Sequence, residues 1–260
     1  MISVELPTQS SVMTVMVRAV IKASKGLLRD FSELENLQVS VKSNKFFVTS
    51  ADLKADKILR EELMRARPTY SLLSEESPEI IGEDTSARWI IDPLDGTVNY
   101  MHGFPHWAPP VALENATEVV AAVTYEPVKN ERFWAEKGIG AYVNNKKIRV
   151  SGKRNMSEVL TSVGSFGSPE PNWLPHMHYK SSRRTGSMTL DMAYVAAGRM
   201  DLLFSSPAPN VWDVAAGVLL IKEANGIVAN RNGATINNYD EISIAGNIDL
   251  VHAASKMNLF

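Results

Sequence analysis

The chain of 260 residues carries 27 Lys and Arg against 29 Asp and Glu, a formal charge of −2, and no cysteine. The missing cysteines exclude disulfide frameworks, thiolate nucleophiles and Cys-ligated zinc or iron–sulfur sites, and they fit a reducing, cytoplasmic setting. The near-neutral charge gives no global basic field for nucleic acid or anionic lipid, and no stretch reaches the ~18 apolar residues of a membrane span. Ser10 and Ser11 precede Val12, Val15, Met16, Ala19, Val20 and Ala23, the spacing of an amphipathic helix that Gly26 slows without ending. Phe46–Thr49 reads as a short β-rich piece. Leu53, Ala55, Ile58, Leu59 and Leu63 predict a second helix that stops before Pro68.

Tyr70–Leu73 and Trp89–Ile91 read as short buried strands, each running directly into carboxylates. Strands Val111–Leu113, Glu118–Tyr125 and Glu131–Glu136 follow, divided by turn residues such as Pro127 and Asn130. Past Arg149 the pattern predicts a strand at Leu160–Val163, a loop at Pro169–Pro175 and a solvated basic loop at Lys180–Arg184. A helix over Ser187–Ala197, closed by Gly198, leads to a strand at Met200–Phe204. A helix over Asp213–Ala224, closed by Gly226, precedes strands at Ile227–Ala229 and Ile242–Ala245. Two αβ lobes are expected, 1–143 and 144–260, with a site at their seam.

Three places put acids where a fold has no need of them: Glu75-Glu76, Asp92-Pro-Leu-Asp95-Gly-Thr97, and Asp213 after Trp212. Acids beyond strand ends are well placed to line a cleft at a sheet edge. Each has a plainer reading: Glu75-Glu76 as an exposed turn, and Asp213 as a helix N-cap. The Asp92–Thr97 segment is harder to dismiss, because Gly96 permits close backbone approach and N–H groups opening a helix at Thr97 would seat an anion. Converging carboxylates stay ionised together only around cations, and an oxygen-only set points to Mg²⁺ or Mn²⁺ rather than zinc. None of the five histidines stands in an HExxH pattern.

At these residues the chain resembles the inositol monophosphatase family of Mg²⁺-dependent, lithium-sensitive phosphomonoesterases. The likeness runs from Val41-Lys42-Ser43 and Val48–Asp52 through Ser74-Glu75-Glu76-Ser77 to Trp89-Ile-Ile-Asp92-Pro-Leu-Asp95-Gly-Thr97-Val-Asn99-Tyr100. It continues at His102–Pro105, Arg183-Arg-Thr-Gly186-Ser187 and Trp212-Asp213-Val-Ala-Ala-Gly217. The resemblance implies an α+β or α/β fold, a two-lobed αβαβα layered sandwich, as a cytoplasmic homodimer acting on a small-molecule phosphate monoester. It implies two or three Mg²⁺ ions, with Mn²⁺ as a substitute, held by Glu75, Asp92, Asp95, Asp213 and the Leu94 carbonyl. By the same resemblance water would attack directly, oriented by Glu75 and Thr97, with Asp52 buttressing Thr97 and the N–H groups of Gly96 and Thr97 on the phosphate. Asp95, Ser165, Arg184, Met188 and Ser206 fall at substrate-side positions, and Lys42 matches a lysine of a mobile segment.

Three departures bear on specificity. Ser206 stands where the family often places a glutamate that contacts inositol hydroxyls, and Met188 stands where relatives tend to have alanine. Ala108-Pro109-Pro110 falls where relatives run a strand, so an edge, a bulge or a delayed strand start is expected. The substrate expected by default is inositol 1-phosphate; histidinol phosphate, a nucleotide 3′-phosphate or a sugar phosphate are alternatives. A phosphoaspartyl route through Asp92 wants acids two apart near the N-terminus, unlike those found here. A non-catalytic relative binding RNA or transcription partners is the reading from a different class, without support from the net charge.

Overall fold

The computed structural model describes residues 9–36, 41–116, 118–164, 179–205, 209–236, 239 and 242–257, without side chains over 34–49. Ser10 opens α1 (Ser11–Asn36): its Oγ accepts from Met13 N at 3.1 Å, and Met13, Met16, Ala19, Val20, Ala23 and Leu27 form the buried stripe. Gly26 is passed without a break. The second helix, α2 (Val41–Ala66), absorbs Phe46–Thr49, so the short strand expected there is replaced by helix. Four residues of β-propensity are outweighed because helix propagates cooperatively from the amphipathic run that follows. Lys42 lies in this helix, and its side chain is outside the described residues.

A seven-stranded sheet follows, ordered β1 (Tyr70–Ser74), β2 (Asp84–Ile91), β3 (Pro110–Asn115), β4 (Glu118–Glu126), β5 (Glu131–Glu136), β6 (Gly140–Val143) and β7 (Lys146–Lys147). Strands β1 and β2 are parallel, and the remaining pairs are antiparallel. The apolar runs are continuous because both faces are covered. Trp89, Ile91, Val111, Leu113, Ala121 and Val123 pack toward α1 and α2, whereas Ile90, Ala112 and Ala122 join a separate cluster behind the sheet. Pro110 pairs with Thr124 as the first residue of β3, so the strand starts late. Ahead of it, Asp95 and Ala108 exchange two backbone hydrogen bonds of 3.0 Å, which ties the acidic loop to the sheet.

The second sheet runs in the order β11 (Ile227–Ala229), β12 (Ile244–Gly246), β10 (Leu202–Ser205), β8 (Leu160–Gly164), β9 (Ser181–Arg183). The basic loop expected over Lys180–Arg184 is therefore largely an edge strand, because Ser181–Arg183 pair in parallel with β8. Helices α4 (Met188–Ala196) and α5 (Val211–Glu223) lie between the two sheets, and α6 (Ile248–Ser255) covers the outer face of the second. The resulting order is α1/α2, sheet, α4/α5, sheet, α6: the expected αβαβα sandwich. Gly198, with φ of 67°, follows α4 as expected. The left-handed residue after α5 is Asn225 (φ 62°) rather than Gly226, since Asn tolerates that region at low cost. Among the described residues no helix is long and apolar enough to cross a membrane.

Candidate metal centre

Parallel strands β1 and β2 end side by side, and the chain turns acidic at both ends. Glu75 N donates to the Ile91 carbonyl at 3.3 Å, and Asp92 N to the Pro110 carbonyl at 3.4 Å, so each acid follows its strand by one residue. Asp92 Oδ1 accepts from Leu94 N at 2.8 Å, which closes the turn set by Pro93. Gly96 caps the short helix α3 (Thr97–Met101) with φ of 91°, and a Cβ there would lie 2.9 Å from the His106 carbonyl. Gly96→Ala should therefore cost at least the ~1–2 kcal/mol of a left-handed L-residue. Its thermal midpoint should fall by about 2–8 °C, read by calorimetry; an unchanged midpoint would show that the loop relaxes freely.

The third acid arrives from the other side of the sandwich. Asp213 is the third residue of α5, and its Oδ2 accepts from Asn210 N at 3.2 Å. Asn210 is the N-cap, and Asp213 completes a capping box from the N3 position while its other oxygen is left for the cleft. Carboxylate oxygens of Asp92, Asp95 and Asp213 lie within 4.8 Å of one another, all buried. Asp95 Oδ2 also accepts from Ser187 Oγ at 2.5 Å and from Thr189 N at 2.9 Å. The N-termini of α4 and α5 thus both present their positive ends to this cluster.

Burial is the main force on these acids, and mutual repulsion adds to it. Asp95 is pushed up to about 7 by desolvation, against the Ser187 hydrogen bond and with Asp213 repulsion. Asp213 is pushed up to about 6 by desolvation, offset by the Asn210 bonds. Asp92 is raised well above its ordinary value by desolvation, then by Asp95, Glu75 and Asp213. Two carboxylates this close repel by about 3 kcal/mol at an effective dielectric near 20. An all-oxygen donor set under that strain suits a hard cation, which would remove the repulsion and let all three ionise.

The cluster faces a cleft of about 360 Å³. Glu75, Leu94, Gly96 and Thr97 line it together with the three aspartates, and Arg184 and Met188 line it from the second-sheet side. Ser165 and Ser206 lie outside the described residues. Asp52 is buried next to the site, pushed up to about 8 by desolvation and then by Glu76 and Glu75. Its Oδ1 is buried without a hydrogen-bond partner, and Thr97 Oγ1 donates to the Leu94 carbonyl at 3.0 Å. A hydroxyl in the first turn of a helix commonly bonds to the carbonyl three or four residues back.

Two neighbours escaped the sequence reading. Ser187 was legible as a helix start and as the end of a family-like motif but was given no role, whereas its Oγ both donates to Asp95 and accepts from Leu190 N at 3.3 Å. Asp191, buried on the cleft wall, accepts from Ser162 Oγ and from Thr185 Oγ1 at 2.6 Å. Desolvation pushes it up to about 6, against those two hydrogen bonds.

A sequence profile of the inositol monophosphatase family matches residues 8–257. The chain belongs to the inositol monophosphatase family. An inositol-1-monophosphatase of Rhizobium meliloti is 46% identical over 233 residues, covering 86% of this chain and 87% of the relative. The Nus factor SuhB of Escherichia coli is 34% identical over 244 residues, covering 91% and 89%. Among solved structures, the extragenic suppressor protein suhB from Bartonella henselae superposes with a TM-score of 0.84 at 39% identity, covering 96% of this chain and 98% of that one. Inositol monophosphatase from Anabaena superposes at 0.83 with 29% identity, covering 95% and 96%. Family membership and the buried acidic cluster agree that this cleft can hold a metal.

Proposed function

We propose that this chain hydrolyses a small phosphate monoester, inositol 1-phosphate first among them, with Mg²⁺ held by Asp92, Asp95, Asp213, Glu75 and the Leu94 carbonyl. The observation that carries this reading is the convergence of three buried aspartates, two from the loop after β2 and one from the first turn of α5, on one cleft beside Gly96-Thr97. Relatives named inositol-1-monophosphatase at 41–46% identity support the substrate. Two or three ions, replaceable by Mn²⁺, would supply charge to the phosphate, a lower pKa to water and stabilisation of the departing alkoxide. Side chains then have little covalent work, and positioning dominates. The N–H groups of Gly96 and Thr97 receive phosphate oxygens. Thr97 Oγ1 spends its proton on the Leu94 carbonyl and keeps its lone pairs for a water O–H, which aims that water's oxygen at phosphorus. Glu75 accepts the second water proton. Arg184 lends positive charge to the substrate side of the cleft.

Relatives named Nus factor SuhB favour a second reading, a regulatory protein that keeps the fold. Both readings meet one experiment: phosphate release with Mg²⁺ from a panel of inositol, histidinol, nucleotide 3′- and sugar phosphates, by wild type and Asp95→Asn. The enzyme reading expects turnover by wild type only, inositol 1-phosphate leading, with inhibition by Li⁺ at fixed Mg²⁺. Equal inactivity of both proteins across the panel would leave the regulatory reading standing. A homodimer in the cytoplasm belongs to the same proposal, and sedimentation at micromolar concentration tests the dimer.

A further inference from the structure

Asn99 joins two segments that approach the aspartates from opposite sheets. It is half-buried in α3, and its Nδ2 donates to the His106 carbonyl at 2.7 Å and to the Thr185 carbonyl at 2.8 Å. Two carbonyl acceptors on one nitrogen require two protons, which a side-chain amide supplies and a hydroxyl does not. On the first side, the same His106 carbonyl presses on Gly96, between Asp95 and Thr97. On the second side, Gly186 adopts a φ of 85°, and a Cβ there would come within 2.9 Å of Asn99 Oδ1. The next residue, Ser187, gives its 2.5 Å hydrogen bond to Asp95, and Arg184 just before Thr185 lines the cleft. Thr185 is gripped twice, by Asn99 at its carbonyl and by Asp191 at its hydroxyl.

We infer that Asn99 is a positioning residue: it fastens the 184–187 turn to the Asp92–Thr97 loop, so that Ser187 meets Asp95 and Arg184 holds its place on the cleft wall. Asn99 touches neither the acidic cluster nor the reacting atoms by this account, and acts through the turn. The kinetic consequence rests on the phosphatase reading; the structural one does not.

The test uses Asn99→Ala and Asn99→Asp in the full chain. With Mg²⁺ and inositol 1-phosphate, kcat/KM should fall by about 10–100-fold, the cost of a misplacement near 1 Å. Mn²⁺ affinity, read by electron paramagnetic resonance, should stay near the wild-type value. Hydrogen exchange over residues 185–190 should quicken about tenfold, while β4 keeps its wild-type rate. Losses from Asn99→Ala and Ser187→Ala should be far from multiplicative, because both open the same joint. If the alanine variant does not fold, Asn99→Asp decides: it keeps the volume but turns an oxygen toward both carbonyls. Wild-type exchange over 185–190 in a folded variant, or multiplicative losses with Ser187→Ala, would overturn the inference. An inactive wild type would sink the phosphatase reading alone, and exchange over 185–190 would then decide for or against the turn.

Discussion

Asp92→Asn is expected to cut Mg²⁺-dependent phosphate release on the order of 10³-fold, and to stabilise the chelator-treated chain at pH 8. The two effects have one cause. Asp92 is buried at the centre of the cluster, raised by its own desolvation and by Asp95, Glu75 and Asp213 together. With cations bound, its charge is what holds them, and losing it removes about 4 kcal/mol of transition-state stabilisation. Without cations the same charge is a burden, and a neutral isostere relieves it. Asn keeps the Oδ1 acceptor that Leu94 N needs at 2.8 Å, so the turn has no reason to open. Relief of about 1 kcal/mol would raise the thermal midpoint by about 2–4 °C. Initial rates with Mg²⁺ and a thermal scan in chelator check both halves. A residue kept for packing would lose stability and activity together, and that outcome would remove Asp92 from the proposed metal set.

Legibility in the sequence followed the range of the interactions. Tyr70–Leu73 and Trp89–Ile91 announced themselves as strands because both faces of β1 and β2 are covered, and the acids that follow them stood out against that apolar run. Asp213 was legible for the same reason, as a charge at the mouth of an otherwise apolar helix. Phe46–Thr49 misled because a four-residue window weighs local propensity, whereas the helix there is 26 residues long. The basic residues of Lys180–Arg184 are exposed, as their charge suggests, but a loop was expected because only the partner strand β8 shows that Ser181–Arg183 form an edge. The hydrogen bond from Ser187 to Asp95 spans 92 positions, and no local pattern marks it. Helix α6 was readable and missed: Asn247 accepts from Leu250 N at 2.9 Å as an N-cap, and Leu250, Val251 and Ala254 supply the buried stripe. The Asp52–Thr97 pairing was expected from resemblance alone, and no local pattern announced the bond that the Thr97 hydroxyl donates to the Leu94 carbonyl.

Removing the metal should matter little near pH 5 and much near pH 8. In the unfolded chain an aspartate titrates near 3.9. In the folded, metal-free chain Asp213 is pushed up to about 6 and Asp95 to about 7, with Asp92 also raised and Asp52 pushed up to about 8. The folded state therefore binds more protons than the unfolded state across this window, and stability falls as pH rises. The contribution of these groups is whole below about pH 4 and is lost as pH climbs through 6 to 8. Bound Mg²⁺ reverses the balance: it needs the ionised carboxylates, so its binding releases protons and tightens with pH. At a free concentration of ~100 Kd it adds about 2.7 kcal/mol, or about 5–10 °C in thermal midpoint. The gap between midpoints in Mg²⁺ and in chelator should thus be small at pH 5 and open to that size by pH 8. A gap that is equal at both values, or absent at pH 8, would mean that the buried aspartates do not hold the ion.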